Sequence, residues 1–213
     1  MGKYTQGILG AFSGKIGTVV GSSWRGIKYM RSLTTKRGNA NASEKQLEQQ
    51  ARFALITGFL KPIKPLLEIG FKNYAVGKTG YNSAHSYNLK NALTGLGATL
   101  EIDYSMVLVS RGDLPAAAMV ASSVTAATLN LAWTNNEGKG KAKATDQLMV
   151  VAFCPSLAEA TYSIADATRL EEALTLDLPE EFSAAAVEVY TGWLSADGKE
   201  LSNSKYAGSV VVA

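Results

Sequence analysis

Side chains able to do chemistry are few and scattered in this sequence. The single histidine is His85, and the single cysteine, Cys154, ends an apolar run. An imidazole and a thiol form a general base and its nucleophile only where the fold brings them together, and no local motif supports that pairing. The carboxylate pairs Glu171–Glu172 and Glu180–Glu181 are adjacent in the chain, so they diverge on a strand and suit general acid-base catalysis poorly. The sequence therefore predicts no catalytic residue and a protein that is not an enzyme.

Metal and cofactor sites are not expected either. One histidine and one cysteine cannot form a structural zinc centre without several carboxylates, and the acidic residues are scattered. The glycines at positions 7, 10, 14, 17 and 21 lack the G-x-G-x-x-G order of a dinucleotide-binding turn, and the sequence has no Walker loop or nucleophile elbow. We expect no cofactor.

The best candidate for a binding surface is a short segment that mixes aromatic and basic residues. It contains Trp24, Arg25, Lys28, Tyr29 and Arg31. Aromatic rings stack on bases and cationic groups contact phosphates, so a strand with both can bind single-stranded nucleic acid. The alternative is an amphipathic strand whose rings enter a core while its charges face water. No established nucleic-acid-binding motif supports the first interpretation over the second.

Charge is divided unevenly along the chain, although the net charge is only +3. Residues 1–90 contain 14 basic and 3 acidic residues, whereas residues 91–213 contain 7 basic and 15 acidic residues. A basic region can meet nucleic acid, an anionic surface or an acidic protein. The acidic half of a second copy provides the last of these, so self-association explains the division without a foreign partner.

The glycine-rich segment GILGAFSGKIGTVVG at residues 7–21 fits strands better than a helix. A helix would carry interior glycines that together cost roughly 4–5 kcal/mol relative to alanine. Lys15 at its centre and its short length also argue against a membrane helix. We predict strands at Ile16–Val20 and Ser22–Arg31, with Gly21 and Gly26 at bulges, bends or tight turns.

Helical periodicity follows this segment. Ser43 and Gln46 form a capping-box pattern before a helix that Pro62 and Pro65 end or kink. A further helix is predicted over 83–93, where Asn82, Asn88 and Asn91 either bond to backbone or form an interface; the sequence does not choose between these roles.

One strand is predicted over 99–110, followed by a turn at Arg111–Asp113. The tripeptide Arg-Gly-Asp is a known integrin ligand on exposed loops, but three common residues occur together often by chance, and a turn is the simpler interpretation. Leu114–Ala118 is predicted to be the linker between a basic, Gly-rich α+β region (1–113) and a second domain (114–213).

The second domain has the pattern of an antiparallel β-sandwich, because short alternating strands are separated by Gly, Asn and Asp. The Asp197–Gly198 pair favours a tight hairpin. The predicted strands are Leu129–Thr134, Asp146–Cys154, Leu174–Leu178, Val187–Trp193 and Gly208–Val212. The fold class is therefore mainly β with some α.

Two resemblances follow from these residues. Trp133, the Leu174–Pro179 run and Val187–Tyr190 resemble a fibronectin type III or immunoglobulin-like module, which implies binding or assembly more than catalysis. The whole chain is similar to a bacterial family of about two hundred residues labelled only as of unknown function, which implies no activity. The matching residues are Gly14–Gly17, Val19–Gly21, Trp24–Gly26, Arg31–Ser32, Gln49, Arg52–Phe53, Tyr81–Asn82, Asn91, Ile102–Tyr104 and Trp133.

The function expected from the sequence is a noncatalytic structural or interaction protein that self-assembles into a filament, shell or phage-type particle. The alternatives are a nucleic-acid-binding protein that uses the basic N-terminal segment and, third, a surface adhesion module. No classical signal peptide is evident and no apolar run is long enough to span a membrane. We expect a protein that is cytoplasmic at synthesis, with a released particle as a further possibility.

Overall fold

The computed structural model describes residues 3–4, 10–24, 26–34, 42–123 and 127–213. The chain forms two compact units, Met1–Glu44 and Lys45–Ala213. This division does not coincide with the boundary predicted at residues 113 and 114.

The first unit contains an antiparallel sheet of consecutive strands. Its order is β1-β2-β3-β4, with strands β1 Lys3–Tyr4, β2 Phe12–Ile16, β3 Val19–Trp24 and β4 Ile27–Ser32. The strand interpretation of the glycine-rich segment is therefore confirmed from position 12 onward, while Gly7 lies outside the described residues. The predicted strand bounds were wrong, because Gly17 (φ +57°) and Gly26 (φ +82°) adopt the left-handed conformation of hairpin turns inside the predicted runs.

Gly21 serves a different purpose, in the middle of β3. A Cβ at this position would meet the carbonyl oxygen of Phe12 and would lie 2.6 Å from its ring. Glycine is therefore required by the close approach of the Phe12 backbone and ring and not by a turn, as is common for glycine inside strands.

The second unit begins with helices. They are α1 Glu44–Leu60, α2 Lys64–Gly70 and α3 Gly80–Asn91. Helix α1 starts directly after Ser43, as the capping pattern predicts, and ends before Pro62. Helix α3 starts earlier than predicted, because Thr79 caps it by accepting a hydrogen bond from the Asn82 backbone N–H at 3.0 Å.

The strand predicted over 99–110 was wrong. Only β5 Leu93–Thr94 and β6 Glu101–Ile102 pair there, and a short 3-10 helix at Tyr104–Met106 follows. Buried Asn88 takes the place of a strand partner, since its side-chain amide donates to Leu108 O at 2.8 Å and accepts from Leu108 N–H at 2.9 Å. Of the two roles left open for the asparagines, Asn88 therefore bonds to backbone.

The remaining strands form the predicted antiparallel sandwich, and the mainly β fold class is confirmed. One sheet has the order β10-β9-β12-β13 and the other β11-β8-β7. Strands β7 and β10 were not predicted. The strands are β7 Met119–Ser122, β8 Thr128–Trp133, β9 Gln147–Cys154, β10 Glu159–Thr168, β11 Ala173–Asp177, β12 Ala186–Leu194 and β13 Lys205–Val211.

Strand β9 is covered on both faces, which explains its continuous apolar sequence. Met149, Val151 and Phe153 belong to the core that also contains helix residues such as Phe59, whereas the alternate positions pack against the second sheet. The helices and the sandwich therefore share one core, and this is why the chain does not divide near residue 114.

The predicted linker is part of this packed structure. Leu114 is buried and its N–H donates to Leu201 O at 2.9 Å. The preceding tripeptide is also fixed: the Arg111 guanidinium lies 4.2 Å from the Tyr74 ring, and Gly112 N–H donates to Asn203 Oδ1 at 3.2 Å. These contacts give Arg111–Asp113 a structural role.

A buried ion pair lies within the sandwich. The side chain of Arg169 is fully buried, and its Nε and Nη2 lie 3.2 and 3.1 Å from Oδ2 of Asp146. Its Nη2 also donates to Pro115 O at 3.0 Å, Nη1 donates to the Asn136 side chain, and the guanidinium lies 4.2 Å from the Trp193 ring. Sequence reasoning missed this cluster because its members are far apart in the chain.

Candidate interaction surface on the N-terminal sheet

The register of the N-terminal sheet determines which side chains share a face. In antiparallel strands, directly opposed residues lie on the same face, and neighbours along a strand alternate. Trp24 pairs with Ile27, Ser22 with Tyr29, and Val20 with both Arg31 and Lys15. We call this the basic face, defined by Lys15, Trp24, Ile27, Tyr29 and Arg31.

The opposite face, which we call the apolar face, has a different character. Gly21 pairs with Met30 and Val19 pairs with Ile16, and the Phe12 ring over Gly21 belongs to the same side. It is defined by Phe12, Ile16, Val19, Lys28 and Met30. Its one charge, Lys28, lies beside Met30 along the strand direction.

The predicted site residues are thus only partly brought together. Trp24, Tyr29 and Arg31 share the basic face, whereas Lys28, opposite Ser23, lies on the apolar face. Arg25 lies outside the described residues. The sequence interpretation treated the segment as one ribbon, and period-two alternation separates its members.

The side chains on both faces are exposed, except that of Phe12, which is half-buried. Every residue of β4 is exposed, with Met30 at 71%, Ile27 at 62% and Tyr29 at 44% of their full accessible area. The alternative interpretation, in which the rings enter a core, is not what the structure shows for Tyr29 or for Trp24, which is 41% exposed. A contiguous apolar surface of this kind is typical of a site of interaction.

Strand β4 also forms an edge of the sheet. Among the described residues it has a strand partner only on its β3 side. The Leu33 N–H donates to Thr18 O at 2.7 Å, so the backbone of Leu33 faces β3. Along an antiparallel strand, residues whose backbone groups face the partner alternate with residues whose groups point away from it. The backbone groups of Ile27, Tyr29 and Arg31 therefore face β3, and those of Lys28 and Met30 point outward, as do those of Ser32. An outward row of N–H and C=O groups can accept a further strand.

His85 and Cys154 lie in separate surroundings. His85 packs between helices, with Nε2 3.0 Å from Thr57 Oγ1 and its ring 4.4 Å from the Phe53 ring. Because the Thr57 hydroxyl donates to Phe53 O at 2.6 Å, it accepts from the imidazole N–H. Cys154 is buried in the core between the two sheets, with Sγ 3.2 Å from Ser156 Oγ. The fold does not pair these groups as a nucleophile and base.

Acidification is expected to destabilise the protein through His85. Burial lowers the pKa of His85, against the opposing effect of its bond to the Phe53 backbone. The folded state then binds its proton at lower pH than the unfolded state, whose histidine titrates near 6.5. The stability that neutral His85 contributes is present above about pH 6.5. It is lost as the pH falls through the pKa that His85 has in the folded state.

Thermal unfolding between pH 7.5 and 5.5 measures this effect. A His85→Gln variant, which retains an N–H donor but does not titrate, should show a smaller fall in Tm over that window. An equal fall in both proteins would contradict the prediction.

Within the described ranges, no group of His, Cys, Asp and Glu is placed to hold a metal ion. No helix in this part of the chain is long and apolar enough to cross a bilayer.

A model for a family of unknown function matches residues 11–208, which includes β2, β3 and β4. No curated protein matches the sequence. Among solved structures, the chain is similar to the solution structure of the fn3 domain of human collagen alpha-1(XX) chain, with a TM-score of 0.34 and 18% identity over 46% of this chain and 85% of that chain.

Proposed function

The chain belongs to DUF6266, the family of unknown function whose model it matches, and we propose that it is a noncatalytic structural protein that self-assembles through its N-terminal sheet. The observation that carries this proposal is the exposed edge strand β4, flanked by apolar side chains and, like β2 and β3, included in the match to the family model. An assembly of this kind can form part of a filament, shell or particle.

Two further features support association with a second copy. The described part of the N-terminal sheet contains cations but no acidic residue, and the chain supplies an excess of acids after position 90, which gives the basic face a second, separate contact on the acidic region of another copy. Backbone addition at an edge strand gives affinity through main-chain hydrogen bonds, and apolar side chains on both sides of the strand add buried area.

Light scattering coupled to size exclusion tests the proposal. The full-length protein should have a mass above its monomer value of 22.5 kDa at micromolar concentration, and negative-stain imaging should show whether larger regular particles form. Contacts made by apolar groups and backbone persist in high salt, whereas a basic face bound only to an acidic surface dissociates as salt rises. A monomer at every salt and protein concentration would overturn the proposal.

A matched pair of charge substitutions locates the interface. Met30→Lys places a charge on the edge strand and should reduce the mass to that of the monomer. Val211→Lys is the control, because Val211 is 66% exposed on β13, an edge strand of the second unit. If both variants keep the mass of the parent protein, β4 is not the interface.

Nucleic-acid binding is the second candidate function. The observation that favours it is the register, which places Lys15 and Arg31 on the same face as Trp24 and Tyr29. Fluorescence anisotropy with a labelled single-stranded oligonucleotide should then show affinity that falls steeply with salt. Lys15→Gln should weaken this binding and reduce the salt slope, while Lys28→Gln on the apolar face should change it little.

A further inference from the structure

We propose that two copies of the protein pair through β4 in antiparallel register, with Met30 opposite Met30 of the second copy at a two-fold axis. This inference rests on the proposed self-assembly and specifies its partner strand and symmetry. The juxtaposition that carries it is the outward backbone row of Lys28, Met30 and Ser32 on a fully exposed edge strand.

The outward row selects the register. In antiparallel pairing, hydrogen bonds form only where outward-facing residues of both strands are opposed. Placing Met30 opposite Met30 also places Lys28 opposite Ser32 of the second copy, twice by symmetry. This register gives about six backbone hydrogen bonds, two for each opposed pair. A shift of two residues in either direction loses one of these pairs.

Side-chain chemistry favours the same register. Tyr29 lies opposite Arg31 of the second copy, so that a guanidinium can pack on a ring at each side of the axis. A shift of two residues in one direction places Arg31 opposite Arg31 of the second copy. A larger shift in the other direction places Lys28 opposite Lys28 of the second copy. Like charges directly opposed across strands are destabilising. The register centred on Met30 avoids both arrangements.

The symmetry determines how the faces combine. A two-fold axis perpendicular to the sheet keeps each face on its own side, so the pair forms one continuous sheet with a doubled basic face and a doubled apolar face. Since both sheets carry positive charge, added salt screens their repulsion and should strengthen the pairing. Docking of a basic region on an acidic one would respond to salt in the opposite direction.

Crosslinking through one introduced cysteine tests the register. Met30→Cys should form a disulfide-linked dimer under mild oxidation, because opposed hydrogen-bonded residues have Cα atoms about 5.5 Å apart, within the range of a disulfide. Lys28→Cys and Ser32→Cys should each remain uncrosslinked alone, since like positions are separated by roughly 13 Å along the strand. A mixture of these two variants should crosslink. The parent protein, whose Cys154 is buried, measures the background.

The outcomes distinguish a wrong register from a failure of self-assembly. If the parent protein is a dimer by mass and Met30→Cys crosslinks no better than the other single variants, the register is wrong while self-assembly stands. Crosslinking of all three variants alone would indicate parallel pairing, and crosslinking of Lys28→Cys alone would indicate a shifted register; both overturn the inference. A parent protein that is monomeric at every concentration overturns the assembly itself.

Discussion

Replacing Arg169 with alanine is expected to lower the free energy of unfolding by about 3–5 kcal/mol, the cost of leaving a buried charge without its partner. The carboxylate of Asp146 is buried with Arg169. Without the guanidinium, Asp146 Oδ2 keeps the Lys143 N–H as a donor at 2.9 Å, and Asp146 Oδ1 has no hydrogen-bond partner among the described residues. Circular dichroism melting should show Tm reduced by roughly 6–20 °C.

A surface arginine provides the matched control for this variant. Arg52 lies 3.7 Å from Glu48 on helix α1, where both side chains are partly exposed, and an i,i+4 pair of this kind contributes only about 0.5 kcal/mol. Arg52→Ala should therefore change Tm little. The double variant Asp146→Leu, Arg169→Met should be more stable than Arg169→Ala, since it leaves no unpaired buried charge. Equal melting of Arg169→Ala and Arg52→Ala would show that the buried pair does not stabilise the fold.

Replacing Gly112 with alanine is expected to cost about 1–3 kcal/mol by overpacking. A Cβ at this position would lie 2.6 Å from the carbonyl carbon of Leu201, which is backbone and cannot rotate away. The chain on either side is held, since Arg111 N–H donates to Gly70 O at 2.9 Å and Asp113 forms a β-bridge with Ser202. Chemical denaturation should show a lower midpoint with an unchanged slope.

Gly58→Ala is the control, and it is expected to change stability in the opposite direction. It lies on the exposed side of α1, and a Cβ there would meet nothing within 4 Å. Gly58→Ala should raise stability by about 1 kcal/mol, because alanine favours the helix and restricts the unfolded chain. If Gly112→Ala also raises the midpoint, the close approach to Leu201 is not a constraint on the fold.

The prediction for Gly112→Ala concerns the Arg-Gly-Asp tripeptide at residues 111–113. The sequence favoured a turn, and the structure gives each of its residues an intramolecular contact. Arg111 lies 4.2 Å from the Tyr74 ring and 5.4 Å from the Tyr87 ring, which no local pattern could indicate. Gly112 is required by its approach to the backbone of Leu201, far along the chain.

Sequence reasoning worked best where the pattern was local. Alternation predicted β8, β11 and β12, and a continuous apolar run predicted β9, to within a few residues, because each buries alternate or all side chains in a sandwich. It missed β10, whose burial alternates only in part, and β7, which is short. It wrongly extended a strand over 99–110, because the apolar residues there pack under helices and Asn88 supplies the hydrogen bonds of a missing partner strand.

The candidate surface was identified in part. Residue types alone identified the aromatic and basic segment, but they could not divide it between two faces. That division depends on where Gly17 and Gly26 place the hairpin turns, since a shift of one residue moves every side chain to the other face. Lys28 was therefore grouped with Tyr29, and the apolar face around Met30 was not foreseen.

By itself, the sequence determined the mainly β fold class, the helix that follows Ser43 and the scarcity of reactive side chains, since these depend on composition and on periodicity within a short window. Tertiary structure decided the shared core of helices and sandwich, the Arg169–Asp146 pair and the exposed edge at β4. Each of these depends on residues far apart in the chain or on a register, and a one-dimensional pattern does not specify which distant residue becomes a neighbour.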